Sequence, residues 1–576
     1  MKFRKVVSTV FVFLLGLSLF AQVGVNPEEE FYTDALAWSL KGYVKNLPLL
    51  KPYPQNIIKD ILEQVSECPD EHDAKRAEMY LHKMYDRIFH VSFESDLDTK
   101  FKQVEKAQDT KKAKWENKLF IDSEILTVGD YAFTPKLGAS WEIGVTGYNN
   151  DVTLADVHPK YIFDSKQQKI DVLSFPIGIV DLLLDTNANV TYGDKDLYFT
   201  FGFNKTGFGI FPKTDLILNP SAYQAFNTSA TYNHRLFSYT HYMGLLGSRS
   251  TINENSYFFK KIMAFQAIKF PLFKNKFSIT YYEASVGSTP FMAAYVMPVP
   301  FVILGNVSSF NDNILAGLNF EFRPLSCIAL IADIMFDDLK PLNFIKFNWN
   351  EAAIRAAARV GFVYSPYNSI CNLISCDYTL VTPFTYSSYD PENLEYNGND
   401  YTNCGICVGS DLPPNSDRIL VRIEFKPYRN LKLSTFTSFV RHSNEYLSLF
   451  SINPPSVLTD EINIPENAPS DGGITTSTLG ISNFTDYTNF MNQFTTMYTI
   501  QAGLSAEYLF ANTKTGSYSV ALGYKFEYIR QDGVDNPIFT GTVTNTSEAL
   551  DCFINWYSGL HDSVNNYLSL SFKYTY

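Results

Sequence analysis

The chain has 576 residues and a net charge of −13, a balance that disfavours nucleic acid and acidic surfaces as partners. Aromatic residues make up 15% of it and charged residues only 19%, below the ~25% charge of ordinary soluble domains. Past the first twenty or so residues, no uninterrupted apolar run reaches the ~20 residues of a helical membrane span. The best candidate, Tyr295 to Leu304, is broken by Pro298 and Pro300. The mature chain is therefore either soluble or crosses a membrane as strands.

Residues 1–21 read as an export signal: Lys2, Arg4 and Lys5 form a basic start, Val6 to Phe20 an apolar stretch, and Ala21 a small cleavage-site residue. No Cys follows the cleavage site, so no lipoprotein anchor is indicated. Residues 22–93 carry a helical period. Phe31, Ala35 and Trp38 share one face, followed by Ile57, Ile58, Ile61, Leu62 and Val65, then by Ala74, Ala77, Leu81, Met84 and Tyr85. Pro-containing breaks at 50–54 and 68–70 make this a three-helix unit, too polar outside to sit in lipid.

From residue 94 to 576 the period is two. Leu568, Leu570, Phe572, Tyr574 and Tyr576 alternate with Ser569, Ser571 and Lys573. Tyr518 to Tyr528 alternates with Ser519, Gly523, Lys525 and Glu527. Ile419, Val421, Ile423 and Phe425 alternate with Arg418, Arg422, Glu424 and Lys426, and Ile314 to Phe322 alternates with Asn319 and Glu321. Each stretch is about ten residues, enough to cross a bilayer when tilted, and longer than the ~5–6 residues common in soluble sandwiches. The expected fold is mainly β: a large transmembrane antiparallel β-barrel of about 16–18 strands, preceded by the helical bundle. Counting hairpins back from Tyr576 places Gln531–Asn545 on the periplasmic side, where it is long for a turn.

Of seven Cys, Cys371 with Cys376 and Cys404 with Cys407 are candidates for small bridges in an exported chain. Cys404-Gly-Ile-Cys407 is half of a zinc or redox motif with no second half nearby. No metal or cofactor is expected. The His residues are scattered, and no nucleophile elbow, HExxH or phosphate loop appears. A carboxylate pair for glycoside hydrolysis needs only two acids and stays open.

Two regions resemble the Wzi capsule-assembly family of outer-membrane proteins. One is Asp34-Ala-Leu-Ala-Trp-Ser-Leu-Lys-Gly-Tyr-Val-Lys-Asn-Leu-Pro-Leu-Leu-Lys-Pro-Tyr-Pro. The other runs from Asp377 to Ser434 through Asp377-Tyr-Thr, Tyr386-Ser-Ser-Tyr, Tyr401-Thr-Asn-Cys-Gly, Leu412-Pro-Pro-Asn-Ser-Asp-Arg and Lys426-Pro-Tyr. Asp333 to Asp338 is similar to that family's acidic strand end. The resemblance implies a barrel of about eighteen strands with a periplasmic helical bundle. It also implies a non-catalytic role in holding or organising surface polysaccharide. Cys404 and Cys407 are departures from the family's pattern.

The candidate polysaccharide-binding residues are Tyr386, Tyr389, Asp390, Tyr396, Asp400 and Tyr401, because ring faces stack on sugar C–H faces and carboxylates accept hydroxyl hydrogen bonds. An ordinary outer loop with interface tyrosines is the competing reading. Asp333, Asp337 and Asp338 form a candidate acidic cluster in the lumen, against which stands a merely solvated acidic wall. Lys525, Glu527, Arg418, Arg422 and Glu424 face inward, to line a permeation path or to pair with one another, the latter being preferred. The expected function is polysaccharide binding in the outer membrane, with lipid and surface polysaccharide as partners and no nucleic acid. The alternative is a porin-like or hydrophobic-substrate channel.

Overall fold

The computed structural model describes residues 26–27, 29–85, 90–105, 114–149, 151–162, 174–211, 214–249, 257–287, 295, 312–338, 355–383, 385–386, 400–404, 406–443, 496–513, 516–536 and 546–576. Residues 1–21, read above as an export signal, lie outside that set.

Three helices come first: α1 (Glu30–Leu40), α2 (Gln55–Ser66) and α3 (Glu71–Tyr85). Among the described residues, eighteen long strands follow in a closed antiparallel barrel, with the short stretch Ser174–Ile177 paired to the start of the fourth of them. They are β1 (His90–Glu105), β2 (Lys114–Thr134), β3 (Leu137–Asn149), β4 (Val180–Gly193), β5 (Leu197–Asn204), β6 (Ala225–Asn233), β7 (Ser238–Arg249), β8 (Tyr257–Leu272) and β9 (Phe277–Gly287). The other half is β10 (Asn313–Leu325), β11 (Ile328–Asp338), β12 (Arg355–Tyr364), β13 (Cys371–Val381), β14 (Ser416–Tyr428), β15 (Leu431–Ser443), β16 (Thr496–Thr513), β17 (Gly516–Asp532) and β18 (His561–Thr575). A fourth helix, α4 (Thr546–Gly559), lies between β17 and β18. β18 pairs with β1 from Ser92↔Thr575 to Glu105↔Asp562, which closes the ring. Closure leaves no unpaired edge, the condition for strands to cross lipid.

One rim carries connections of only two to six residues, and the other carries all the longer ones. Such asymmetry is the usual arrangement of outer-membrane barrels, with short turns on the periplasmic side. The alternation read from the sequence holds. Leu522, Leu568, Leu570, Ile419, Leu318 and Phe322 point outward and are exposed, while Glu527, Arg418 and Glu321 on the same strands are buried inside. Polar inside and apolar outside is the reverse of a soluble core, and it fits lipid around a polar lumen.

Two expectations need correction. Gln531–Asn536 sits on the long-connection rim, opposite Tyr576, because β18 is a single strand from His561 to Thr575. The residues before it, 546–559, form α4 and do not add a strand to the count. Cys371 and Cys376 cannot bridge. Both lie on β13, roughly 16 Å apart along the strand and on opposite faces, whereas a disulfide needs Cα atoms about 4.4–6.8 Å apart.

The lipid-facing parity sets a first expected result. Leu522→Arg places a charge on the outward face of β17 and should cost ~2–4 kcal/mol if near the bilayer midplane, seen as loss of the heat-modifiable folded band on a gel. Lys573→Ser on the inner face should be mild, since it removes only a half-exposed ion pair with Glu94 at 2.9 Å, worth about 0–1 kcal/mol. Equal tolerance at the two positions would rule out the assigned faces.

Candidate functional site

The lumen is occupied from both ends. At the short-turn rim, α1 is buried over most of its surface, from Phe31 to Leu40 except Thr33. Its apolar residues face both the other helices and the wall, and its buried Asp34 is hydrogen-bonded, as a buried charge must be. Phe31, Ala35 and Trp38 pack on Ile58, Leu62, Val65, Ala77 and Tyr80 of α2 and α3. Leu36, Ala37 and Leu40 pack instead on Ile331, Val363 and Leu373 of the barrel wall. Asp34 accepts hydrogen bonds from Arg76 and Lys426, from Tyr80 Oη at 2.9 Å and from Asn372 Nδ2 at 3.0 Å. The helices are thus tied into the mouth of the barrel by a buried charge network that also includes Glu30, Glu424 and Lys432.

From the long-connection rim, three segments fold inward. In 151–162, a capping box between Thr153 and Asp156 starts a short 3-10 turn, whose Leu154 and Val157 pack on Phe120 and Tyr148. Lys160 N donates to Glu527 Oε1 at 2.8 Å, and Tyr161 O accepts from Arg418 at 2.8 Å. The second segment, 205–224, brings Leu216, Ile217 and Leu218 into a lumen cluster with Phe208, Phe265, Tyr282, Tyr386, Tyr401, Val408 and Leu412. The third, 400–412, is held by Lys261, which donates to the Asp400 carboxylate and to Thr402 Oγ1 at 3.1 Å.

At the centre stands Arg359 on β12. It donates to Thr214 O and Thr214 Oγ1, each at 3.1 Å, and pairs with Asp215 at 3.4 Å and Asp333 at 3.8 Å. Its guanidinium lies over the Phe211 ring at 4.4 Å. Tyr282 Oη donates to Asp333 Oδ1 at 2.6 Å. Burial pushes the Asp215 carboxyl up, and the Arg359 charge works against that. Lys51, buried nearby, is pushed down to about 8 by the loss of water, with Asp215 opposing the shift. The arrangement is a clamp: a wall arginine holds segment 205–224 inside the barrel.

Of the sequence-derived binding residues, Tyr386, Tyr401 and Asp400 are brought together inside the lumen and are buried. The two rings stack with centroids 5.8 Å apart, and their hydroxyls donate to Leu216 O and Ile217 O at 2.7 Å. Their faces are spent on the plug. Tyr389, Asp390 and Tyr396 lie outside the described residues. Asp333 and Asp337 share the inward face of β11; Asp333 meets Arg359 and Tyr282, and Asp337 accepts from Tyr386 N. The Asp338 side chain lies outside the described set. The inward charges take partners other than one another, contrary to expectation: Arg418 binds Asp411 with two hydrogen bonds at 2.7 and 3.1 Å. Glu527 accepts from Gln501, Asn565 and Tyr567, and Glu424 pairs with Lys432 at 3.4 Å. Burial pushes the Cys404 thiol up to about 12 and the Cys407 thiol up as well, so neither is a ready thiolate ligand. Among the described residues no His, Cys, Asp and Glu group could hold a metal ion.

Sequence reasoning passed over Arg359 and segment 205–224. The available signal was Leu216-Ile-Leu, an apolar run with no strand period inside a long connection.

No family model and no curated protein matches the chain. Among solved structures the chain is similar to Wzi. That protein is described as an outer-membrane protein involved in group 1 capsule assembly in Escherichia coli and a carbohydrate-binding β-barrel. The likeness covers 96% of this chain and 99% of Wzi, at 10% identity and a TM-score of 0.49. Wzi gives its name to the family that residues 34–54 and 377–434 resemble. The chain is also similar to OccAB4 of Acinetobacter baumannii, at 8% identity and a TM-score of 0.36 over 84% of this chain and 98% of that one. OccK2 of Pseudomonas aeruginosa, solved with glucuronate, gives 8% identity and a TM-score of 0.37 over 84% and 96%.

Proposed function

We propose that this chain is exported through residues 1–21 to the outer membrane, where it binds or organises surface polysaccharide on its long-connection face without catalysis. The observation that carries the choice of binding over conduction is the filled lumen. Three inward segments and a seated helix occupy the space that an open channel would leave to water. The sequence resemblance over residues 34–54 and 377–434 supports polysaccharide as the ligand. The charged inner wall, with Arg359, Arg418 and Arg422, favours a second reading as a channel whose plug moves aside.

Two measurements on the refolded barrel separate these readings. Glycan-array binding with little or no conductance in planar bilayers is expected; steady ion conductance without glycan binding would reverse the order. Within the loop, Tyr389→Ala or Tyr396→Ala should weaken glycan retention by ~1 kcal/mol per stacked ring. Barrel levels should hold, because loop tips tolerate substitution. Normal retention after deletion of 387–399 would remove this loop as the binding site.

A further inference from the structure

Segment 205–224 is bonded toward both ends of the lumen. On its upper side, Leu216 O and Ile217 O accept the Tyr386 and Tyr401 hydroxyls at 2.7 Å, and Asn219 N donates to Val408 O at 2.7 Å. On its lower side, Gly207–Phe208 forms a two-stranded ladder with Leu50–Lys51, the stretch between α1 and α2. Gly209 N donates to Leu49 O at 3.1 Å, and Phe211 packs among Leu36, Ala37 and Leu40 of α1. Phe208 N donates to Leu218 O at 3.1 Å, which joins the upper and lower halves of the segment directly. Leu216 and Ile217 are fully buried at 0% exposure. A segment packed to interior density has little slack, so a shift at one end is transmitted or breaks contacts.

We propose that segment 205–224 couples the two faces of the barrel: the packing of Tyr386 and of segment 400–412 against it sets how firmly the helical unit is seated at the short-turn rim. Anything that engages segment 400–412 from the long-connection side then alters the opposite face. The surface that would register the change is a cleft of about 580 Å³ between the helical unit and the barrel, lined on one side by Lys41, Asp70 and His72 and on the other by Asn368, Asn372 and Lys426. Its two walls belong to the two bodies whose seating is at issue, so its width follows from that seating. The coupling does not depend on the identity of the ligand.

Hydrogen exchange read by mass spectrometry on the refolded full-length protein tests this from both ends. The double variant Tyr386→Phe/Tyr401→Phe removes two hydroxyl donors above and leaves the rings. It should speed exchange at least tenfold in residues 34–41, far below, while β17 stays unchanged. Tyr367→Phe removes a bond from below, where Tyr367 Oη donates to Lys41 O at 2.8 Å. By thermodynamic reciprocity it should speed exchange in 401–412. The idea fails if each variant loosens only its own end while β17 protection is retained. Because either variant alone can show the cross-effect, loss of folding in one leaves the other as the deciding case.

Discussion

Replacing Arg359 with Met should unseat the lumen plug and let ions pass through a barrel that is otherwise intact. Arg359 is 2% exposed and supplies the counter-charge for both Asp215 and Asp333, themselves buried. Removing one partner of a buried ionic cluster costs ~3–5 kcal/mol, mainly because the remaining charges are left uncompensated. The wall does not depend on this cluster: β12 keeps its full ladders to β11 and β13. The Asp333 half of the cluster is a cross-strand pair within the wall, whereas the Asp215 and Thr214 half joins the wall to segment 205–224. That second half is lost from the contact that holds the plug, and the plug is what moves. Stepwise conductance in planar bilayers is expected from the variant and not from the parent protein, with heat-modifiable mobility kept by both. Arg359→Lys should fall between them, since an ammonium keeps the charge but not the fork that reaches Thr214 and Asp215 together. A silent Arg359→Met barrel would show that the clamp does not hold the lumen shut.

This clamp also marks where sequence reading stopped. Strand faces were legible because a period of two, ten residues at a time, states which side chains meet lipid; Leu522, Leu568 and Ile419 lie outward as their spacing requires. The helices were legible for the same kind of reason, a period near 3.6 with Pro-marked breaks. Loop destination was not. Whether Tyr386 and Tyr401 lie outside against a ligand or inside against Leu216 and Ile217 depends on contacts 170 and 184 residues away in sequence. No local period encodes such pairs. A cluster of Tyr and carboxylate suits a sugar site and a polar plug equally well, because both need rings with hydroxyl donors beside buried acceptors. Asp215, Asp333 and Arg359 are similarly unremarkable one at a time and acquire meaning only when three distant stretches converge.

The second large effect is expected at the other end of the lumen. Asp34→Ala should release the helical unit from the barrel mouth while the barrel stays folded. Asp34 is 0% exposed and is the acceptor shared by Arg76 of α3 and Lys426 of β14. Its loss leaves two cations crowded around Glu30 and Glu424, a buried-pair deletion of ~3–5 kcal/mol. A 1–2 kcal/mol change is already large for a marginally stable contact, so residues 29–85 should become open to limited proteolysis while the cleaved barrel keeps its folded mobility on a gel. The same network fixes the expected response to acid. Burial alone would raise the Glu30 carboxyl, but Lys426, Lys432 and Arg76 outweigh it and hold that carboxyl well below the ordinary range. A carboxyl lowered on folding stabilises fully above its unfolded pKa, ~4.3 for Glu, and loses that contribution only as the pH falls through the lowered value. The parent protein should therefore resist proteolysis within 29–85 at pH 5 as well as at pH 7, and yield only in stronger acid. Asp34→Ala should be cut at both. Release of the parent's helices between pH 7 and pH 5 would mean that a group other than Glu30 controls the seat.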